Sequence, residues 1–147
     1  MKTVFDLAIR AELIRRIGLL NENSKAAWGK MTIYQMLKHC TQAEEMYLGQ
    51  KQYKRVPLGF IFGRMALKGI LKDENPMRKN APTHHAFIIK GEGDVEAEKT
   101  KWIQLIETYG SYSNTCYVHW FFGKMTKEQV GFLAYKHIDH HLRQFGA

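Results

Sequence analysis

The chain has 147 residues, 45% hydrophobic and 24% charged, the size and composition of a single globular domain spanning 1–147. Its two cysteines, Cys40 and Cys116, stand far apart with no C-x-x-C pair, which excludes a disulfide scaffold and fits a reducing cytoplasm. The net charge of +8 gathers in residues 51–80, where Lys51, Lys54, Arg55, Arg64, Lys68, Lys72, Arg78 and Lys79 face only Asp73 and Glu74.

The first stretch with helical periodicity runs from about Phe5 to Leu20, through Leu7, Leu13, Ile14 and Ile17. Asp6, Arg10 and Glu12 interrupt the apolar run that an export signal needs, so a cytoplasmic protein is expected. The second stretch starts at Thr32 and reaches about Gly49. Thr32 and Gln35 form a T-x-x-Q capping box, in which the hydroxyl caps the first turn and the amide reaches back. Between the second and third stretches lies a short basic amphipathic piece, Leu58 to Leu71. Arg64, Lys68 and Lys72 share one stripe, with Phe62, Met65, Ala66 and Ile70 away from it. Such a piece is expected to cover a bundle end or groove, with a membrane-surface helix as the less favoured alternative. It is shorter and more charged than the roughly 20 apolar residues of a membrane span. Phe87-Ile88-Ile89 alone reads as a strand. The third long helix starts near Asp94, with Glu96 and Glu98 in its first turn where the helix dipole favours them. The fourth starts at a second T-x-x-Q box, Thr126 to Gln129, and stops at Gly146. Long amphipathic helices with little strand signal predict an all-α four-helix bundle, with the basic piece as an extra helix between helices 2 and 3.

Of the seven histidines, three stand out. Residues on an α-helix turn by about 100° each. On the last helix this puts His137 and His141 in the middle of an apolar stripe with Val130, Ala134 and Phe145. Two adjacent imidazoles in an apolar stripe are costly unless satisfied, and a divalent metal bound by both satisfies them. His39, on the side of the second helix shared by Met36, Ala43 and Met46, completes a three-histidine set. Three protein ligands leave a position open for water or substrate, the arrangement of a catalytic site. His84 and His85 follow Pro82 in a loop and read as exposed. His119 sits in an aromatic linker, His140 lies at an edge, and Cys40 reads as packing.

The segment M-T-I-Y-Q-M-L-K-H after Trp28, with the late H-I-D-H-H-L-R-Q, resembles the DinB-like metal-binding bundles over nearly the whole chain. Their pattern of one His on the second helix and H-x-x-x-H-x-x-Q on the last falls here on His39, His137, His141 and Gln144. The resemblance implies an up-down-down-up bundle holding zinc or nickel, and homodimers are common in the superfamily. It also implies a low-molecular-weight thiol, such as bacillithiol, mycothiol or glutathione, activated as thiolate.

Two functional expectations follow. The first is a metal-dependent enzyme, a thiol S-transferase or a hydrolase, acting on a small-molecule substrate. The second is a non-catalytic, stress-related metal-binding bundle that acts through a partner at its basic 51–80 segment. Such a patch suits nucleic acid, an anionic membrane or an acidic small molecule, though a solvated face is the simplest reading.

Overall fold

The computed structural model describes residues 1–147. The chain forms α1 (Leu7–Gly18), α2 (Ile33–Tyr47), α3 (Pro57–Ile70), α4 (Val95–Glu107) and α5 (Lys127–Gln144). A small hairpin, β1 (Tyr117–His119) and β2 (Gly123–Met125), lies between α4 and α5. The fold is therefore mostly helical with one two-stranded sheet, not purely helical.

Each main helix starts where a side chain satisfies its free N–H groups. The Asp6 carboxylate accepts from the Ala8 and Ile9 amides ahead of α1, and Asp94 accepts from Ala97 ahead of α4. Both predicted capping boxes form: Thr32 with Gln35 opens α2, and Thr126 with Gln129 opens α5. The chain leaves α5 at Gly146, whose φ of +75° favours glycine.

α2 packs on α4 and α5, and α1 packs on the same two helices. Their apolar stripes meet in one core containing the fully buried Leu13, Ile17, Met36, Leu37, Trp102, Ile106, Ile138 and Leu142. Burying a side chain of this size contributes about 1.5–3 kcal/mol. Charged groups stitch the same helices at the edge of the core. Asp139 on α5 accepts from Arg16 of α1 and Arg143 of its own helix, both at 2.7 Å. Glu98 on α4 pairs with Lys38 of α2 at 3.2 Å and accepts from the Thr41 hydroxyl.

The sequence placed a linker where the hairpin forms. Tyr117 pairs with Met125 and His119 with Gly123, so Tyr117, His119 and Met125 face inward while Val118 and Lys124 face out. Phe87 lies in a short 3₁₀ turn, His85–Phe87, rather than in a strand.

α3 lies against this hairpin through Gly59, Gly63 and Leu67. A Cβ on Gly63 would stand 2.1 Å from the Phe121 carbonyl oxygen, so only glycine permits the approach. At the other end the Lys136 ammonium, from α5, donates to the Ile70 carbonyl at 2.6 Å and to the Asp73 carbonyl at 3.0 Å. The expectation that Phe62 and Met65 cover the bundle fails: both are exposed, while Ala66 and Ile70 are half-buried. The periodicity separated the faces of this helix, but both are apolar, and the glycines decide which one turns inward. No helix is long and apolar enough to cross a membrane.

Candidate metal centre

His39 is delivered by the middle of α2, and His137 and His141 by successive turns of α5, where the two helices pack. One ring nitrogen from each of the three lies within 4.8 Å of the others. Ring centroids are 5.2 Å apart for His39 and His137, 4.8 Å for His39 and His141, and 4.7 Å for His137 and His141. The sequence predicted this convergence of two helices, and the structure brings all three rings together.

Neighbouring groups fix two of the tautomers. His39 Nδ1 lies 3.0 Å from the Phe87 carbonyl oxygen, which can only accept, so Nδ1 carries the proton and Nε2 a bare lone pair. His141 Nδ1 donates in the same way to Gln144 Oε1 at 2.8 Å, and the Gln144 amide donates to the Trp28 carbonyl at 2.8 Å. That second bond sets which end of the Gln144 amide faces His141. His141 Nε2 is left as a lone pair.

His137 has no such arrangement. Its Nε2 lies 3.2 Å from His39 Nε2, and its buried Nδ1 has no hydrogen-bond partner. With the proton on Nε2, Nδ1 is a buried acceptor without a donor. With the proton on Nδ1, two lone pairs oppose each other across 3.2 Å. A cation between the Nε2 atoms removes that opposition. Two imidazoles on one tetrahedral zinc, with bonds of about 2.0–2.1 Å, hold their nitrogens about 3.3 Å apart. The donors present therefore fit a divalent metal.

Burial keeps all three rings neutral, the form that binds metal. It lowers His39, holds His141 down to about 3, and puts His137 well below its ordinary value, where His141 and His39 lower it further.

Two cavities open on the cluster, and both are lined by His39 and His137. One, of about 590 Å³, is apolar and is walled by residues such as Ala43, Met46, Val56, Trp120, Phe122 and Leu133. The other, of about 420 Å³, carries Trp28, Lys30, Arg78, His140 and Gln144. Neither has an Asp or Glu in its wall.

The remaining histidines divide. His85 is exposed, and His84 is half-buried, its Nδ1 accepting from the Ala86 amide at 3.1 Å. His140 sits on the rim against Trp28. His119 is more central than the sequence indicated. It is buried, held down to about 3 by burial, and lines the apolar cavity. Its Nδ1 accepts from the Phe121 and Phe122 amides at 3.1 and 3.2 Å, so its proton is on Nε2. The Phe87 carbonyl was equally unreadable, since any residue can supply one. Cys40 packs on Met36 as expected.

Fold and site together define a mostly helical protein whose core presents three neutral histidines suited to one divalent cation. The chain matches the family model described as "Protein of unknown function (DUF1569)" over residues 4–147, and it belongs to that family. No curated protein and no solved structure shows significant similarity to it.

Proposed function

We propose that this chain is a metal-dependent enzyme of the DinB-like bundle type, in which His39, His137 and His141 hold one divalent transition metal. Zinc and nickel suit the three-imidazole donor set. The observation that carries the reading is the pair of inward lone pairs, on His39 and His141, fixed by Phe87 and Gln144 beside an unsatisfied His137. When bound, such a metal lowers the pKa of a thiol or water at its open position and so supplies a nucleophile near neutral pH.

The surroundings favour the thiol. Hydrolysis usually draws on a positioned general base, and neither cavity offers a carboxylate. A thiol needs only to be held as thiolate. Lys30 and Arg78 in the smaller cavity suit the carboxylates of a low-molecular-weight thiol. The apolar cavity suits an uncharged electrophile, and the His119 and His84 Nε2–H groups are ring N–H donors of fixed tautomer among its lining residues. The proposed reaction is S-conjugation: the thiol loses its proton, its sulfur forms a C–S bond to the electrophilic carbon, and the electrophile's leaving group departs, as halide from an aryl halide. The test is turnover of an aryl halide with glutathione by tag-free, zinc- or nickel-loaded protein. Thiol-dependent turnover lost in His141→Ala is expected. Rates equal to those of metal-free protein would remove the enzymatic reading.

A further inference from the structure

Most of the outward face of α3 is uncovered, although Leu58 at its start also lines the apolar cavity and the Arg55 guanidinium lies 3.8 Å over the Phe60 ring. Leu58, Phe60, Ile61 and Met65 are 61%, 66%, 71% and 68% exposed, and Phe62 is 46% exposed. Half of the molecule's exposed large hydrophobic side chains thus sit on one 14-residue helix. At about 100° per residue, Leu58, Ile61, Phe62 and Met65 share one stripe. It lies opposite the Gly59, Gly63 and Leu67 stripe that holds the helix to the hairpin.

Arg64, Lys68 and Lys72 run along one edge of the exposed stripe, all exposed. Lys124 of β2 joins this edge, because Arg64 donates to its carbonyl at 3.0 Å. No acidic residue occurs between Lys51 and Lys72. Lys72 makes only a long 3.8 Å contact with Asp73, and Lys68 has no ion-pair partner. An exposed apolar patch bordered by uncompensated cations calls for a partner that is apolar in the middle and anionic at its rim.

We propose that α3 is a contact with an anionic lipid surface. Its Leu58–Ile61–Phe62–Met65 stripe enters the headgroup region, and Arg64, Lys68 and Lys72 meet lipid phosphates. Three features select this occupant. The face is a convex helix rather than a groove, so it fits a deformable layer better than a docked helix. A second copy of this chain would bring the same cations and no anions to the contact. The helix is also pinned, by the glycine contacts with Phe121 and by Lys136, so its apolar side chains are presented without an ordering cost. Ala66 and Ile70, on the inner side of α3, line the apolar cavity. One helix thus stands between the lipid surface and the chamber beside His39 and His137.

The test is sedimentation of the full chain with vesicles of phosphatidylcholine alone or mixed with phosphatidylglycerol, at low salt. Pelleting with the mixed vesicles is expected. It should be at least about tenfold weaker on neutral vesicles and for Arg64→Gln/Lys68→Gln/Lys72→Gln, because each basic residue near an anionic surface is worth about fivefold. Ile61→Ser/Met65→Ser should also abolish pelleting. These side chains are exposed, so unchanged circular dichroism will show that the variants fold. No pelleting with mixed vesicles, or pelleting indifferent to the apolar variant, overturns the proposal. If pelleting fails and light scattering shows a dimer that Ile61→Ser/Met65→Ser dissociates, the face belongs to a second copy.

Discussion

Glu44 lies on α2 in the middle of the core and is completely buried. Burial, only partly offset by the Tyr109 hydroxyl, pushes its carboxyl up to about 8. The nearby Trp102 indole also lowers it, yet neither Glu44 Oε1 nor Trp102 Nε1 has a partner at full hydrogen-bond geometry. The ordinary carboxyl value is 4.5. Between that value and about 8 the unfolded chain has released this proton while the folded chain keeps it. Stability from this group is therefore full below about pH 4.5 and falls as pH rises. At about pH 7.5 three pH units have accumulated, at about 1.4 kcal/mol each, or roughly 4 kcal/mol relative to a side chain that never ionises. Glu44→Gln is such a side chain of nearly the same shape. About 1 kcal/mol is deducted for an imperfect amide bond to Tyr109. The variant should then be more stable than the parent by about 2–3 kcal/mol at about pH 7.5, with no gain at about pH 4.5. Urea unfolding of both proteins across this range measures the difference, in which other titrating groups cancel. A difference that does not change with pH, or a variant less stable at about pH 8, would refute the reasoning.

Asp139→Ala leaves the half-buried Arg16 without its carboxylate, keeping only its bond to the Ala147 carbonyl, and should cost about 2 kcal/mol in urea unfolding. Gln144→Leu removes the acceptor that orients His141 and should weaken zinc binding about 10- to 100-fold by competition with a chelator. In metal-free protein His119 and His141 are held down to about 3 by burial, against an ordinary 6.5. Their stability is full above about pH 6.5 and is lost as pH falls toward 3, so in the Glu44→Gln background, where the opposing Glu44 titration is absent, unfolding free energy should drop by at least about 2 kcal/mol between about pH 7 and pH 5. A flat profile there would mean that these rings are solvated.

Much of the frame was legible because local chemistry sets it. Thr32 with Gln35 and Thr126 with Gln129 mark helix starts at any point in a fold, and both marked real ones. His137 and His141 were legible because helical spacing puts both on an apolar stripe. The partners that set the tautomers divide: Gln144 lies three residues from His141, within reach of a pattern. The Phe87 carbonyl comes from a turn 48 residues away from His39, and no side chain announces it. His119 and the hairpin were missed because two three-residue strands carry too little alternation to read. The outward face of α3 was missed because hydrophobicity alone does not say which of two apolar faces turns inward, whereas backbone approach at Gly59 and Gly63 does.

The central claim is that three imidazoles from two helices share one ion. Elemental analysis of tag-free protein, as purified and after reconstitution with zinc or nickel, tests it most directly. The account predicts close to one tightly held ion per chain, lost in His137→Ala while the helical circular dichroism persists. A folded protein that retains no transition metal after reconstitution, or retains it equally without His137, would contradict it.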